Sequence, residues 1–247
     1  MFDSNGRNNF TRLDNQLDWL VADMNASDAL WKVVFVHHPI AGSPDKTESP
    51  EDNYYQQVVS RLNDADVDLF LAGHSHLYHR TFPLLGQSGG TALFVPDMDN
   101  DYAKGAGLIQ VVAGVGGQSL RPGDFSPFPF DVVGFSTTTV PAVEYGFAQV
   151  DATSSLLTVS YVAADDGAVL DSFTICVPEP STLSFAFLCV MALFRHGGRE
   201  SVGQKCQRRF RSTPIHADVK EQCKGRPLRS ATADLESMPL RVVAVAV

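Results

Sequence analysis

The chain has 247 residues, 44% of them hydrophobic, and a net charge of −9. That length and apolar content suffice for one sizeable core. The charge is uneven: 11 of the 19 Lys+Arg but only 5 of the 28 Asp+Glu lie from Arg195 onward, so the preceding body is strongly acidic. An acidic body argues against a nucleic-acid partner, because phosphate backbones are held by basic surface. The four cysteines (Cys176, Cys189, Cys206 and Cys223) lack zinc-ligand spacing and give neither a disulfide framework nor a redox compartment.

Residues 1–9 are polar and turn-rich, unlike a secretory signal. Residues 14–24 predict a helix, with Leu13, Leu17, Leu20, Val21 and Met24 on one face. Asn25-Ala26-Ser27-Asp28 ends it, and residues 31–36 follow as an apolar strand running into His37-His38-Pro39. Residues 40–53 form a polar loop containing Gly42, Pro44 and Pro50. A crossover helix over 54–63 turns Tyr55, Val58, Val59 and Leu62 inward. After the turn at 63–66, Leu69-Phe70-Leu71-Ala72 is too short for a helix and suits a buried strand. It stops at Gly73, and His74, His76 and His79 follow within six positions.

Two strands joined by a helix form a right-handed βαβ unit, which brings their carboxyl ends together. Ligands of open α/β sheets gather at that edge. Imidazoles arriving there from both strands suit zinc, iron or manganese. The competing reading is a surface loop that carries several histidines. His38 sits beside a candidate ligand and points the other way along an extended chain, so it reads as packing or contacting substrate. His79 and Arg80 either reach a phosphate oxygen or stay structural, while Leu77 and Tyr78 pack.

Residues 91–96 and 107–113 read as further strands. Gly114-Val115-Gly116-Gly117 has no Lys-Ser/Thr after it and reads as a tight loop rather than a phosphate cradle. Residues 118–141, rich in Pro, Phe and Thr, form a long irregular excursion; Phe125, Phe128 and Phe130 line a pocket or pack in the core. Residues 144–150, 156–162 and 169–175 alternate apolar and polar side chains and predict three antiparallel strands of a second sheet. Beyond them lie Pro178-Glu179-Pro180, an apolar stretch at 183–194 broken only by Ser184, and Arg195-His196-Gly197-Gly198-Arg199. Twelve apolar residues fall short of the roughly 20 that a stable membrane span needs. Residues 200–247 are basic, without sustained periodicity, and read as disordered.

Val34-Phe35-Val36-His37 and Gly73-His74-Ser75-His76 resemble the last two ligand motifs of the calcineurin-like metallophosphoesterases. Gln16-Leu17-Asp18-Trp19-Leu20, Trp31-Lys32-Val33-Val34 and His37-His38-Pro39 resemble the purple acid phosphatase branch, and the likeness runs over about residues 2–175. The resemblance implies an α/β fold, a β-sandwich flanked by helices, and a dinuclear centre of iron with zinc, manganese or a second iron that hydrolyses phosphate esters. It implies His37 and His74 on one metal and His76 on the other. The family's phosphate-contacting histidine has no counterpart in the 40–53 loop, so His38, His79 and Arg80 are the nearby catalytic candidates and the general acid stays unassigned. The family's earlier motifs, Asp-x-His, Gly-Asp and Gly-Asn-His, have no counterpart before Trp31. The bridging carboxylate is therefore missing, and three neutral imidazoles do not replace its charge between two hard cations. The expectation is residues 1–176 as the C-terminal part of a metallophosphoesterase domain whose N-terminal portion is missing, with weak metal binding and little hydrolysis from this chain.

Residues 177–199 resemble a PEP-CTERM sorting signal, which implies export, a processing enzyme in the inner membrane as partner, and release to the envelope or outside the cell. Such tags end soon after their basic cluster, whereas this chain continues through a tail at 200–247. The alternatives to an exported phosphohydrolase are a non-catalytic envelope or matrix remnant of the same fold and a simple metal-binding module.

Overall fold

A computed structural model describes residues 3–4, 10–42, 53–88, 91–126, 129, 131–178 and 240–244. Two five-stranded sheets face each other. The first has the order β1-β2-β7-β3-β8 and the second β12-β9-β10-β11-β6. Its strands are β1 (Val33–Phe35), β2 (Leu69–Ala72), β3 (Tyr78–Thr81), β6 (Asp101–Ala103), β7 (Ile109–Ala113), β8 (Asp131–Phe135), β9 (Gly146–Ala152), β10 (Leu156–Ala163), β11 (Val169–Cys176) and β12 (Leu240–Ala244). A separate hairpin pairs β4 (Leu84–Ser88) with β5 (Thr91–Phe94). The helices are α1 (Phe10–Ala26) and α2 (Asn53–Asp64).

The predicted βαβ unit is present. β1 and β2 run parallel in the register Val33↔Leu69, Val34↔Phe70 and Phe35↔Leu71, with α2 as the crossover. β7 adds parallel to β2, so three carboxyl ends share one edge. Alternation along β2 and β7 divides the core. Phe70, Ala72 and Val112 pack with Leu13, Leu17, Leu20, Val58, Val59 and Leu62 of the helices. Leu69, Leu71, Ile109, Val111 and Ala113 pack with Ala148, Val150, Leu157, Val159, Phe173 and Ile175 of the second sheet. The expected sandwich with helices on it is therefore observed.

Five strands differ from the sequence reading, among them β4, for which no strand was expected. Residues 78–81 form β3 in the middle of the first sheet, where all four residues are buried and no alternation marks them. The excursion at 118–141 contains β8, which pairs antiparallel with β3. β6 joins β11 in parallel through Ile175↔Tyr102. Within the tail read as disordered, residues 240–244 form β12, antiparallel to β9 with Val242 opposite Val150. Cys176 is disulfide-bonded, although the cysteine spacing alone yields no framework. The loop at 43–52 and the apolar stretch at 183–194 lie outside the described residues. Among the described residues no helix is long and apolar enough to cross a membrane.

Candidate metal site

β1 ends at Phe35 and β2 at Ala72, and the next residues of both strands stay tied together. Val36 donates its backbone N–H to Leu71 O at 3.0 Å, and Gly73 donates to His37 O at 3.1 Å. The two turns that carry histidines are thus one hydrogen-bonded unit. His74 adopts φ of 63°. A non-glycine residue in the left-handed region costs energy and persists only where neighbours over-determine it. Here the next residue, Ser75, is fully buried, and Gly114 lies against it so closely that a Cβ there would sit 1.9 Å from Ser75 O. The glycine cluster after β7 is therefore the tight loop predicted, and its first glycine admits the His74 turn.

The turn after His37 is held from the same side. Gln110, fully buried on β7, accepts from Ile40 N at 2.7 Å and Ala41 N at 3.1 Å and donates its amide to Ala41 O. Gly42 follows with φ of 49°. At the amino end, Gln16 on α1 grips Asp3 through both backbone groups, and Arg12 pairs with the Asp3 carboxylate. This places the buried Ser4 against His38: its Oγ lies 2.9 Å from His38 Nδ1 and accepts the His38 backbone N–H at 3.2 Å.

These supports bring three imidazoles together. The candidate ligand atoms of His37, His38 and His74 lie within 4.8 Å of one another. His37 Nε2 and His74 Nδ1 are 3.1 Å apart. The His38 ring centroid is 4.7 Å from that of His37 and 4.3 Å from that of His74. His38 is buried, His74 half-buried and His37 exposed, so the cluster opens to solvent on one side.

His37 and His74 meet as expected, and His76, expected on a second metal, lies outside their cluster. Its Nδ1 lies 3.1 Å from Ser119 O, and its carbonyl accepts from Arg121 N at 2.9 Å, which ties it to the loop after β7. The expectation for His38 also changes: the strand ends before it, so strand alternation no longer turns its ring away from that of His37.

The catalytic expectation for His79 and Arg80 is corrected. Both side chains are fully buried, on opposite faces of β3: Arg80 turns into the sandwich, and His79 turns away from it toward Asp131 and Phe125. Arg80 donates Nε and Nη2 to the Asp171 carboxylate at 2.8 and 3.0 Å, Nη1 to Tyr102 Oη and Nη2 to Asn100 Oδ1, both at 2.9 Å. Asp171 also accepts from Tyr78 Oη at 2.8 Å. With its donors engaged and its surface covered, the Arg80 guanidinium has no route to a phosphate oxygen. His79 Nδ1 lies 3.2 Å from Asp131 Oδ1 beneath the Phe125 ring. Burial raises the Asp131 carboxyl pKa, and the nearby His79 offsets this only in part.

Among the described residues the cluster offers three imidazole donors to a metal ion. Imidazole nitrogens alone suit a borderline ion such as zinc. A dinuclear pair needs a bridging carboxylate, and among the described residues none joins the cluster. Ser4, Gln110 and Gly114 were missed by sequence reasoning; only Gly114, in a glycine cluster at a strand end, left a signal there.

Residues 107–172 match the family model described as iron/zinc purple acid phosphatase-like protein C. An acid phosphatase from Aspergillus ficuum is 28% identical over 183 residues, 71% of this chain and 29% of that protein. "Probable inactive purple acid phosphatase 1" of Arabidopsis thaliana is 28% identical over 169 residues, 65% of this chain and 25% of that one. The chain thus spans under a third of the length of these relatives. The solved structure of purple acid phosphatase PPD1 from yellow lupin (Lupinus luteus) seeds superposes with a TM-score of 0.54 at 24% identity, over 66% of this chain and 28% of that one, a likeness of fold.

Proposed function

We propose, from the match of residues 107–172 to a purple acid phosphatase-like family model, that this chain supplies the histidine side of a metal-dependent phosphate-ester site. The observation behind this reading is the 3.1 Å approach of His37 Nε2 and His74 Nδ1 from the ends of two adjacent parallel strands. A divalent ion held by neutral imidazoles keeps its full charge, and in an acidic body it is the feature that attracts a phosphate anion. His37 and His74 are the ligands on which the reading rests. Hydrolysis by this chain is slow, because no carboxylate of the described residues joins the cluster.

The test is binding of inorganic phosphate to the 247-residue chain with zinc or manganese, followed by calorimetry, beside turnover of a phosphomonoester. Phosphate should bind the metal-loaded chain, lose that binding on chelation and lose it in His74→Ala. Phosphate binding that survives chelation, or none at all to a metal-loaded chain, refutes the reading. Rapid metal-dependent turnover would refute the low activity alone and leave the site in place.

The second reading is a non-catalytic relative, supported by the same missing carboxylate; it gives phosphate binding with no turnover. Export belongs to this proposal as well. Pro178-Glu179-Pro180, the apolar residues 183–194 and the basic residues after them support routing through an inner-membrane processing enzyme to the envelope or beyond. Deleting residues 177–199 should retain the protein inside the cell; unchanged export would refute the sorting role.

A further inference from the structure

We propose that the outer edge of β9 is a docking site for an extended aliphatic strand, and that its occupant is this chain's own C-terminal segment, Leu240–Ala244, held there as a releasable strand. The inference is independent of the histidine cluster, which belongs to the first sheet.

A sheet edge presents a row of unpaired N–H and C=O groups, and proteins blunt it with short strands, proline, lysine or bulges. The second sheet treats its two edges differently. At one of them, β6 has three residues. At the other, β9 has seven, Gly146-Phe147-Ala148-Gln149-Val150-Asp151-Ala152, without proline or lysine. Its pairing with β10 runs through seven residue pairs with no register shift, so no bulge twists the edge away. Asp151 is its only charge. Left bare, that edge is a template for another strand.

The occupant has matching chemistry. Residues 240–247 read Leu-Arg-Val-Val-Ala-Val-Ala-Val, aliphatic apart from Arg241, a composition of high β-propensity and little charge. Exposed to water, such a run is an aggregation hazard. Pairing it with β9 removes that hazard and the bare edge together. The register sets Arg241 opposite Asp151, an opposite-charge pair, Val242 opposite Val150 and Ala244 opposite Ala148. Ala148 and Val150 are buried between the two sheets, whereas Gln149 and Asp151 are half-buried on the outer face. Val242 thus holds an inner position, and Val243, opposite Gln149, an outer one.

Five residue pairs hold β12, against seven between β9 and β10. A short strand at a sheet edge is among the first parts of a fold to open. Being on the same chain, it competes from an effective concentration of up to about 1 mM, above that of separate copies in a micromolar solution. The chain's own strand is therefore favoured, and the same edge, once vacated, accepts that segment as a free peptide by strand addition.

The experiment follows amide hydrogen exchange of β9 in the 247-residue chain. A bare edge strand protects only alternate amides, those facing its one neighbour, whereas an occupied edge protects both sets. Both sets should be protected in the wild type. Val242→Lys puts a charge at an inner position and should speed exchange of the set facing away from β10 at least tenfold; Val243→Lys, at an outer position, should leave it unchanged. A peptide of residues 239–247 added to the Val242→Lys chain should restore protection, and a scrambled peptide of the same composition should not. Alternate protection only in the wild type, equal exchange in the two lysine variants, or a native peptide that at millimolar concentration restores no more than the scrambled one would overturn the proposal. So would a wild-type chain that is dimeric at micromolar concentration and becomes monomeric in Val242→Lys, since the edge would then hold the strand of a second copy. If Val242→Lys fails to fold by circular dichroism, the wild-type exchange pattern decides.

Discussion

Arg80 of β3 and Asp171 of β11 face each other across the sandwich, with two guanidinium nitrogens 2.8 and 3.0 Å from the two carboxylate oxygens. Both side chains are buried, and Tyr78, Tyr102 and Asn100 complete the network. The Arg80 guanidinium also lies 4.7 Å from the centroid of the Phe173 ring. A charge pair placed between two apolar sheets is costly to form and more costly to break, because the surviving partner keeps its burial and loses its counter-charge. Asp171→Ala should therefore destabilise the fold by about 3–5 kcal/mol, read as a fall in the urea midpoint. The Arg80→Met/Asp171→Leu double variant, which removes both charges, should recover part of that loss. A single variant within about 0.5 kcal/mol of wild type, the size of an ordinary surface change, would show that the pair does not hold the sheets together.

Asp131 and His79 make a second buried polar contact, without the first one's completeness: among the described residues Asp131 Oδ2 and His79 Nε2 meet no hydrogen-bond partner. Burial holds the folded Asp131 pKa above its ordinary value despite His79. A carboxyl whose pKa is raised by folding binds its proton more tightly in the folded state. Its contribution to stability is then complete below the unfolded pKa, about 4, and is lost as pH rises through the folded value. Asp131→Asn removes that loss. The stability difference between the Asn variant and wild type should move in favour of the variant as pH rises from about 4 toward neutrality, measured as thermal midpoints across the range. Movement in the other direction would show that an ionised Asp131 paired with His79 stabilises the fold.

The sequence made legible what regular patterns report. The 3.6-residue periodicity of α1 and α2, the short apolar run of β2 and the alternation of β9 to β11 each predicted the element observed. β3 stayed hidden because its Tyr-His-Arg-Thr sequence is polar, while its burial is made possible by partners 52 and 91 residues away. No local window contains such pairs. His37 and His74 were readable as strand-end residues. His38 was not, since the reading applied strand alternation to a residue that lies past the end of β1. His76, which the resemblance assigns to a second metal, lies outside the His37–His38–His74 group, with its Nδ1 turned to the loop after β7.

Gly114 is a sharp test of how the His74 turn is held. A methyl at this position would sit 1.9 Å from Ser75 O and 2.8 Å from Ser75 C, and both are backbone atoms of the turn itself. Nothing flexible is present to move aside. Gly114→Ala should displace the 73–76 turn, cost roughly 1–3 kcal/mol through overpacking, and reduce zinc affinity, since His74 loses its place opposite His37. A Gly117→Ala control, where no atom lies within 4 Å of the added carbon but φ is +153°, should leave zinc binding intact whatever it costs locally. Equal zinc affinity in the Gly114 variant and wild type would show that the close approach does not position the ligand.

Gln110 holds the other ligand turn, and its amide is suited to the task by having both an acceptor and a donor. Its oxygen accepts from Ile40 N and Ala41 N while its nitrogen donates to Ala41 O, all within a buried environment. Gln110→Leu keeps the volume and strands two buried backbone donors and an acceptor, with a penalty of about 1–3 kcal/mol for each donor left unsatisfied. Gln110→Glu keeps the acceptor for both N–H groups and sets a carboxylate oxygen against the carbonyl of Ala41. That contact becomes favourable only when the carboxyl is protonated and can donate. The Glu variant should therefore approach wild-type stability and zinc affinity at acid pH and lose both as the pH rises past the pKa of its buried carboxyl, whereas the Leu variant should be weakened at every pH. Urea midpoints and zinc titrations of the two variants at pH 5 and pH 8 separate these outcomes. A Glu variant as weak at pH 5 as the Leu variant would mean that the 40–42 turn is held by something other than the Gln110 amide.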